Sequence, residues 1–353
     1  MTTTEEARRQ IMICNACRYC EGYCAVFPAI TRGRDFSDGD ITHLAHLCHN
    51  CRGCYHACQY TEPHEFALNV PAALAAVRRD STRRFAPPAA LARLFHDRGV
   101  GLAAALVAGL AALFAAIAAL RPESGDGFYA VLSHTAMVAI FAPAFLAPLA
   151  IMALAVRRQW RETGDERLRL PHIIAAAASA GRLKNLSGGQ GQGCHFERGT
   201  RATNARRIAH QMTAGGFLLC FASTSSGTVM HYLLDWPAPY AWYTAPKLLG
   251  VPGGILLTLG ALWLARLKRQ SDPALGTPGA SGGEMAFTLL LAATGATGLA
   301  LYAATGTALV PALLAIHLGA VLALFITLPF SKMAHGFYRF TALVREAQFR
   351  TNH

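Results

Sequence analysis

The sequence predicts an all-α membrane bundle of six transmembrane helices carrying a small N-terminal cysteine-rich head. Three observations carry this reading. Eight of the ten cysteines lie within the first 58 of 353 residues. After residue 98 the chain becomes a succession of long Ala/Leu/Val/Gly runs. Charged residues make up only 15% of the chain and mean hydropathy is +0.30, whereas soluble domains carry about 25% charged residues.

The head comes first. Cys14, Cys17, Cys20 and Cys24, then Cys48, Cys51, Cys54 and Cys58, repeat the spacing C-x2-C-x2-C-x3-C with 23 residues between the runs. That run is the ligand pattern of a two-cluster iron–sulfur module, in which the fourth cysteine of each run serves the other cluster. One cluster is expected on Cys14, Cys17, Cys20 and Cys58, and the other on Cys48, Cys51, Cys54 and Cys24. The head is therefore expected to be ferredoxin-like (α+β) with two [4Fe-4S] clusters. The proline that usually follows the fourth cysteine is absent, since Ala25 and Gln59 stand there. Zinc sites use four ligands in total, and two interlocked runs fit that poorly. A disulfide framework needs an oxidising compartment, and Met1-Thr-Thr-Thr-Glu-Glu lacks the basic and apolar regions of a signal peptide.

Residues 67–98 read as a membrane-surface linker with a short helical pattern from Ala72 to Arg79, interrupted by Pro71 and Pro87-Pro88. Six apolar segments follow, each near the ~20 residues that cross the hydrocarbon. They run from Gly99 to Leu120, Phe128 to Val156, Ile208 to Leu234, Ala245 to Leu267, Glu284 to Thr305, and Ala308 to Pro329 with a polar continuation. The expected division is a head over 1–66, the linker over 67–98, two spans over 99–156 and a basic loop over 157–207. Four spans with haem sites follow over 208–335, then a tail over 336–353.

The formal net charge of +12 does not point to nucleic acid, because the excess sits in alternate connections. Eleven Lys/Arg lie between Arg157 and Arg207. Arg266, Lys268 and Arg269, then Arg339, Arg345 and Arg350, continue the pattern. The other connections are nearly bare. The positive-inside rule thus places both termini in the cytoplasm of a bacterial inner membrane, the reducing side on which free thiolates persist.

The 157–207 loop is too long for a plain connector. Its Gly188-Gly189-Gln190-Gly191-Gln192-Gly193 run follows no strand and misses the G-x-G-x-x-G spacing, so nucleotide binding is set aside. A turn packing against the head or a partner is expected instead. Cys194-His195 makes no metal site by itself and stays unassigned.

Ionisable residues in a bilayer are functional candidates by default. His134, His210, His231, His317 and His335 fall in the apolar segments or at their ends. Facing imidazoles across a bundle can hold haem b at both axial positions. His210 and His231 lie on the third segment, about 31 Å apart along an ideal helix, and His317 and His335 on the sixth, about 27 Å apart. Antiparallel packing then pairs His210 with His335 at the cytoplasmic end and His231 with His317 toward the outer side. This predicts two haems, and one if either pair is structural. His134 could replace His231 or line a quinone pocket. Met137, Met212, Met230 and Cys220 read as packing residues.

The cysteine runs, His64-Glu65-Phe66-Ala67-Leu68-Asn69, Leu183-Lys184-Asn185-Leu186…Gly193-Cys194 and His210-Gln211-Met212-Thr213 together resemble the tricarballylate/citrate utilisation protein B family over nearly the whole chain. The stretch from His317 to His335 is also similar to the haem-binding helix of respiratory nitrate reductase gamma subunits, in which two such histidines serve different haems. The spacing of His210 and His231 departs from that second pattern. The resemblance implies a membrane electron carrier that reoxidises a partner FAD-dependent tricarballylate dehydrogenase and passes electrons to quinone.

The residues alone already imply electron transfer, because clusters carry single electrons and no flavin or nicotinamide motif is visible. The same wiring could run in reverse, as a quinol-oxidising subunit feeding a cytoplasmic reductase. A redox sensor would not need a ladder of membrane histidines. A transporter would show internal repeats and broken midplane helices, and none is visible.

Overall fold

The computed structural model describes residues 1–120, 132–164, 166–186, 191–196, 201–276 and 281–351. Among them are thirteen α-helices and no strand beyond an isolated bridge between Cys194 and Thr203. The head is thus helical rather than α+β. It comprises α1 (Thr3–Cys17), α2 (Val26–Arg32), α3 (Asp38–Leu47) and the single turn α4 (Gly53–His56). The sequence gives the reason. Thr2 with Glu5, and Ser37 with Asp40, form capping boxes that start α1 and α3. The residues between the cysteine runs have no two-residue alternation to favour a strand.

α5 (Val70–Phe85) extends well beyond the expected Ala72–Arg79. Pro71 sits in its first turn, where a missing N–H costs nothing, and Asn69 caps it through Ala72 N–H at 3.2 Å. Val70, Leu74 and Val77 bury against Ala7 and Ile11 of α1 and Ile41 and Leu44 of α3. The linker is therefore part of the head's core. Pro87-Pro88 then breaks the chain before α6 (Ala89–Leu120), which kinks at Arg98.

Five helices are long and apolar enough to cross a membrane: α6, α7 (His134–Glu162), α10 (Ala245–Gln270), Gly282–Ala303 within α11 (Ser281–Ala303), and α12 (Val310–Thr327) with its 3-10 extension to Phe330. This marks a membrane protein. Phe128, the expected start of the second segment, lies outside the described residues. The expected third segment forms α9 (Ala205–Leu233), 29 residues long, but it is not among the five. Arg206, Arg207, His210 and the hydroxyl run Ser223–Ser226 lower its hydropathy. These and the next hydroxyl find carbonyls inside the bundle, Ser225 with Phe221 O at 2.9 Å and Thr228 with Thr224 O at 3.0 Å one turn back, and Ser223 with Pro246 O of α10 at 2.6 Å.

The sixth segment is not one helix. α12 ends at Thr327, Leu328–Phe330 tighten into a 3-10 turn around Pro329, and α13 (Ala334–Thr351) begins anew. His317 and His335 thus belong to different helices. α13 turns back onto the head beside α8 (Leu170–Gly181), where Arg32 Nη1 meets Glu346 at 3.1 Å and Gln159 Nε2 donates to Tyr338 O at 3.0 Å.

α9 and α10 approach closely at glycines. A Cβ on Gly216 would stand 2.3 Å from Leu257 N, and one on Gly260 would stand 2.7 Å from Thr213 N. Gly216→Leu is expected to cost about 1–3 kcal/mol and lower the unfolding temperature in detergent. Gly215→Leu, whose Cβ meets nothing within 4 Å, should not, and equal losses in the two variants would contradict this packing.

Candidate functional site

The eight head cysteines gather into two groups, each around a cavity. Cys14, Cys17, Cys20 and Cys58 line one of about 200 Å³. Its remaining wall is Tyr19, Phe27, Ala57, Gln59, Tyr60 and Leu68, with no charged side chain. Cys17 and Tyr19 are solvent-exposed. Cys24, Cys48, Cys51 and Cys54 line a second, tighter cavity of about 20 Å³ together with His49, Asn50 and Arg52. Each run therefore contributes three cysteines to one group and its fourth to the other.

The local backbone explains this. α1 ends at Cys17, and left-handed Arg18 turns Cys20 back toward Cys14. Left-handed Asn50 and Arg52 do the same around Cys51. Asn50 N–H points at Cys48 Sγ and Tyr60 N–H at Cys58 Sγ, both at 3.4 Å. Burial, followed by the charges of Cys20, Cys58 and Cys17, pushes the Cys14 thiol up to about 12. Burial lifts Cys20 and Cys51 to about 11, and raises Cys24 and Cys54 as well. Without a metal these groups are therefore neutral thiols at neutral pH, and binding as thiolates would release their protons to a cationic centre. No described group of three or more His, Cys, Asp or Glu is placed to hold a single metal ion. Four thiols around a cavity fit a polynuclear iron–sulfur group better.

The second group is wrapped in cations. Arg78 Nη1 donates to Cys48 O at 2.6 Å and Ala45 O at 2.8 Å. Arg339 Nη2 reaches Cys48 O at 2.9 Å, and Arg206 Nη1 reaches Asn50 O at 2.7 Å. Arg52, 3% exposed, leaves Nε and Nη1 buried without a hydrogen-bond partner. Phe196 lies between the Arg52 and Arg206 guanidinium groups, at 4.7 and 4.1 Å. Burial lowers Arg52 to about 10 and Arg339 to about 9, so both remain cationic at neutral pH.

The basic loop closes this side. His195 N–H donates to Cys51 O at 2.9 Å, and its ring stacks on His56 at 4.5 Å. Cys194 is buried against Cys51, its thiol donating to Leu186 O at 3.1 Å. Gly193, with φ +100°, must be glycine, since a Cβ would stand 2.1 Å from Thr203 O. Ser187 to Gln190 of the Gly-rich run lie outside the described residues.

Two family models tile the chain: "Citrate utilization protein B Fer4-like domain" over residues 7–87 and "Citrate utilization protein B" over 87–353. The chain belongs to the citrate utilisation protein B family. The "Citrate utilization protein B" of Escherichia coli is 43% identical over 348 residues, covering 97% of this chain and 91% of that relative. No solved structure matches the chain. Family membership gives the cysteine head its class, a Fer4-like domain of the iron–sulfur, electron-transferring kind.

The membrane histidines of this family member fall into three places. His210 of α9 and His335 of α13 meet with ring centroids 6.0 Å apart. His335 Nδ1 donates to the Lys332 carbonyl, leaving Nε2 as the free lone pair. His210 Nδ1 is buried without a partner. His231 stacks on His134 at 4.2 Å beside Tyr232 rather than touching His317. His317 presses on α11 instead, its Nδ1 3.0 Å from Thr297 Oγ1. Thr297 gives its own proton to Ala293 O at 2.7 Å, so it accepts from Nδ1–H and frees Nε2.

The arginines are what sequence reasoning missed. A signal existed: Arg206 lies four residues before His210 and Arg339 four after His335, one helical turn each. In the iron-free chain, iodoacetamide at pH 8 should alkylate exposed Cys17 first. Cys14, held at about 12, is a thiolate in only about one molecule in ten thousand at that pH, and its rate should rise about tenfold per pH unit below 12. Equal rates for the two at pH 8, followed by peptide mass spectrometry, would contradict the buried site.

Proposed function

We propose that the chain is the membrane subunit that reoxidises a partner FAD-dependent tricarballylate dehydrogenase and delivers the electrons to quinone. The observation that carries this reading is the pair of polar bridges from the second cysteine group to the inner histidines. Arg339 and Arg206 hold the carbonyls of Cys48 and Asn50 at 2.9 and 2.7 Å, and each sits one helical turn from a histidine of the His210/His335 pair. When bound, iron–sulfur clusters and haem supply one-electron steps, and quinone takes two electrons and two protons.

In this reading Cys14, Cys17, Cys20 and Cys58 hold the outer [4Fe-4S] site, and Cys24, Cys48, Cys51 and Cys54 the inner one. The exposure of Cys17 and Tyr19 offers the partner flavoprotein its approach to the outer site. His210 and His335 are the first haem b ligands. The hydrogen bond of His335 supports it, since its Nδ1–H is given to the Lys332 carbonyl and the Nε2 lone pair is left for a metal. His231 and His317 are the second pair, with His134 at the quinone. The basic loop and the head form the docking face.

Topology supports six crossings with both termini in the cytoplasm of a bacterial inner membrane. The 157–207 loop touches the head through His195 and Cys51, and the turn after α10 touches it through Asn69 Nδ2 and Ala274 O at 2.9 Å. Both connections thus lie on the head's side, and only α9 and α10 run between them. If α10 crosses the membrane, α9 must cross back. The hydroxyl–carbonyl bonds described above meet the requirement that polar groups in hydrocarbon be satisfied within the protein.

Detergent-purified protein is expected to contain eight non-haem irons and about two b-type haems per chain, read by non-haem iron and sulfide assay and pyridine haemochrome. His335→Ala and His210→Ala should each remove the same haem. Cys17→Ala should abolish flavoprotein reoxidation while the bundle still inserts. A protein without haem would sink the membrane half of the proposal.

A further inference from the structure

The two cysteine sites differ in the charge that surrounds them. The wall of the outer cavity carries no charged side chain. Arg18, the nearest cation in sequence to Cys17, is exposed and turns its Nε to Asn15 O at 3.1 Å. The inner cavity has Arg52 in its wall and Arg78, Arg206 and Arg339 on the carbonyls of its rim. None of these four arginines forms a salt bridge with a described carboxylate within 4.0 Å. Arg52 is the most telling, because two of its buried guanidinium nitrogens lack any partner.

Buried cations without partners are costly and call for an anion to face them. Four cysteine thiolates around an iron–sulfur core supply one, as a net negative group in the cavity that Arg52 lines. A site in which fixed positive charge surrounds a negative centre holds an added electron more firmly, and here solvent screening is weak. Water around exposed Cys17 also favours added charge at the outer site. Mobile water is a weaker source of stabilisation than four oriented guanidinium groups, three of them pinned to backbone carbonyls. The cationic side of the balance therefore wins.

We infer that Arg52, Arg78, Arg206 and Arg339 make the Cys24/Cys48/Cys51/Cys54 site the higher-potential one of the two, so that these arginines set the direction of electron flow from the exposed site toward the membrane. They are positioning residues that act through the charge they present. The step moves one electron from the outer site to the inner one, oxidising the first and reducing the second, with no bond made and no proton moved. The inference rests on the two-site reading above and adds to it the order of potentials, which spacing alone leaves open.

The test is a redox titration of the full-length protein in detergent, followed by electron paramagnetic resonance, after assay has established eight non-haem irons per chain. Two signals are expected. Arg52→Gln and Arg206→Gln should each shift the higher-potential signal downward and leave the lower one in place. Arg206→Lys should restore part of the shift, since it keeps the charge. Arg18→Gln should move neither. Should the glutamine variants fail to accumulate, Cys17→Ser still decides, because it should alter only the lower-potential signal. If Cys17→Ser alters the higher-potential signal, or if the glutamine variants shift the lower signal or none, the inference is overturned while the two-site reading stands. Only four non-haem irons and one cluster signal would remove the two-site reading and this inference together.

Discussion

Two guanidinium groups clamp the head to the bundle, Arg206 of α9 on Asn50 O and Arg339 of α13 on Cys48 O. Each bond is charge-assisted and made to a backbone carbonyl, so it fixes the main chain of the cysteine turn and not merely a mobile side chain. Much else depends on this. The turn carrying Cys48, Cys51 and Cys54 can keep its left-handed residues Asn50 and Arg52 because its carbonyls are already occupied. The same two helices present His210 and His335 one turn away. Geometry at the head and geometry at the inner histidines are consequently set by the same two side chains.

A second layer of charge steadies the rim of the membrane domain. Glu284, at the start of α11, takes both Lys268 from the end of α10 and Lys332 from the turn before α13. Ionic groups near the bilayer persist when they are paired, and this trio ties three connections together beneath the head. Lys332 also offers its carbonyl to His335 Nδ1. The orientation of that imidazole is thereby coupled to an ion pair on neighbouring helices.

How legible all this was in the sequence follows the length scale of the signal. The cysteine groups were readable because C-x2-C-x2-C-x3-C is local and its fourth member has nowhere to point but the other cavity. Long apolar runs gave α6, α7, α10, α11 and α12 for the same reason. The failures were non-local or came from an overextended pattern. Strands were expected in the head by analogy with its motif, yet the capping boxes at Thr2 and Ser37 specify helices. One helix was expected to carry His317 and His335 because their 18-residue spacing suited one face, and Pro329 ends it between them. The stacking of His134 of α7 on His231 at 4.2 Å is a lateral contact that axial spacing does not register. The arginine wrap was invisible because its members come from residues 52, 78, 206 and 339, gathered only by the fold.

The return of α13 onto the head has a bearing on biogenesis. Its Ala342, Leu343 and Val344 complete the same core as Ile11, Ile41 and Leu44, and its Glu346 receives Arg32 from α2. The first cysteines leave the ribosome roughly three hundred residues ahead of the helix that finishes their surroundings. Throughout that interval the head core stands without the wall that α13 supplies. A chain that stalls before residue 334 therefore leaves Arg32 without its carboxylate, the Cys48 carbonyl without Arg339 and the head core open along one side.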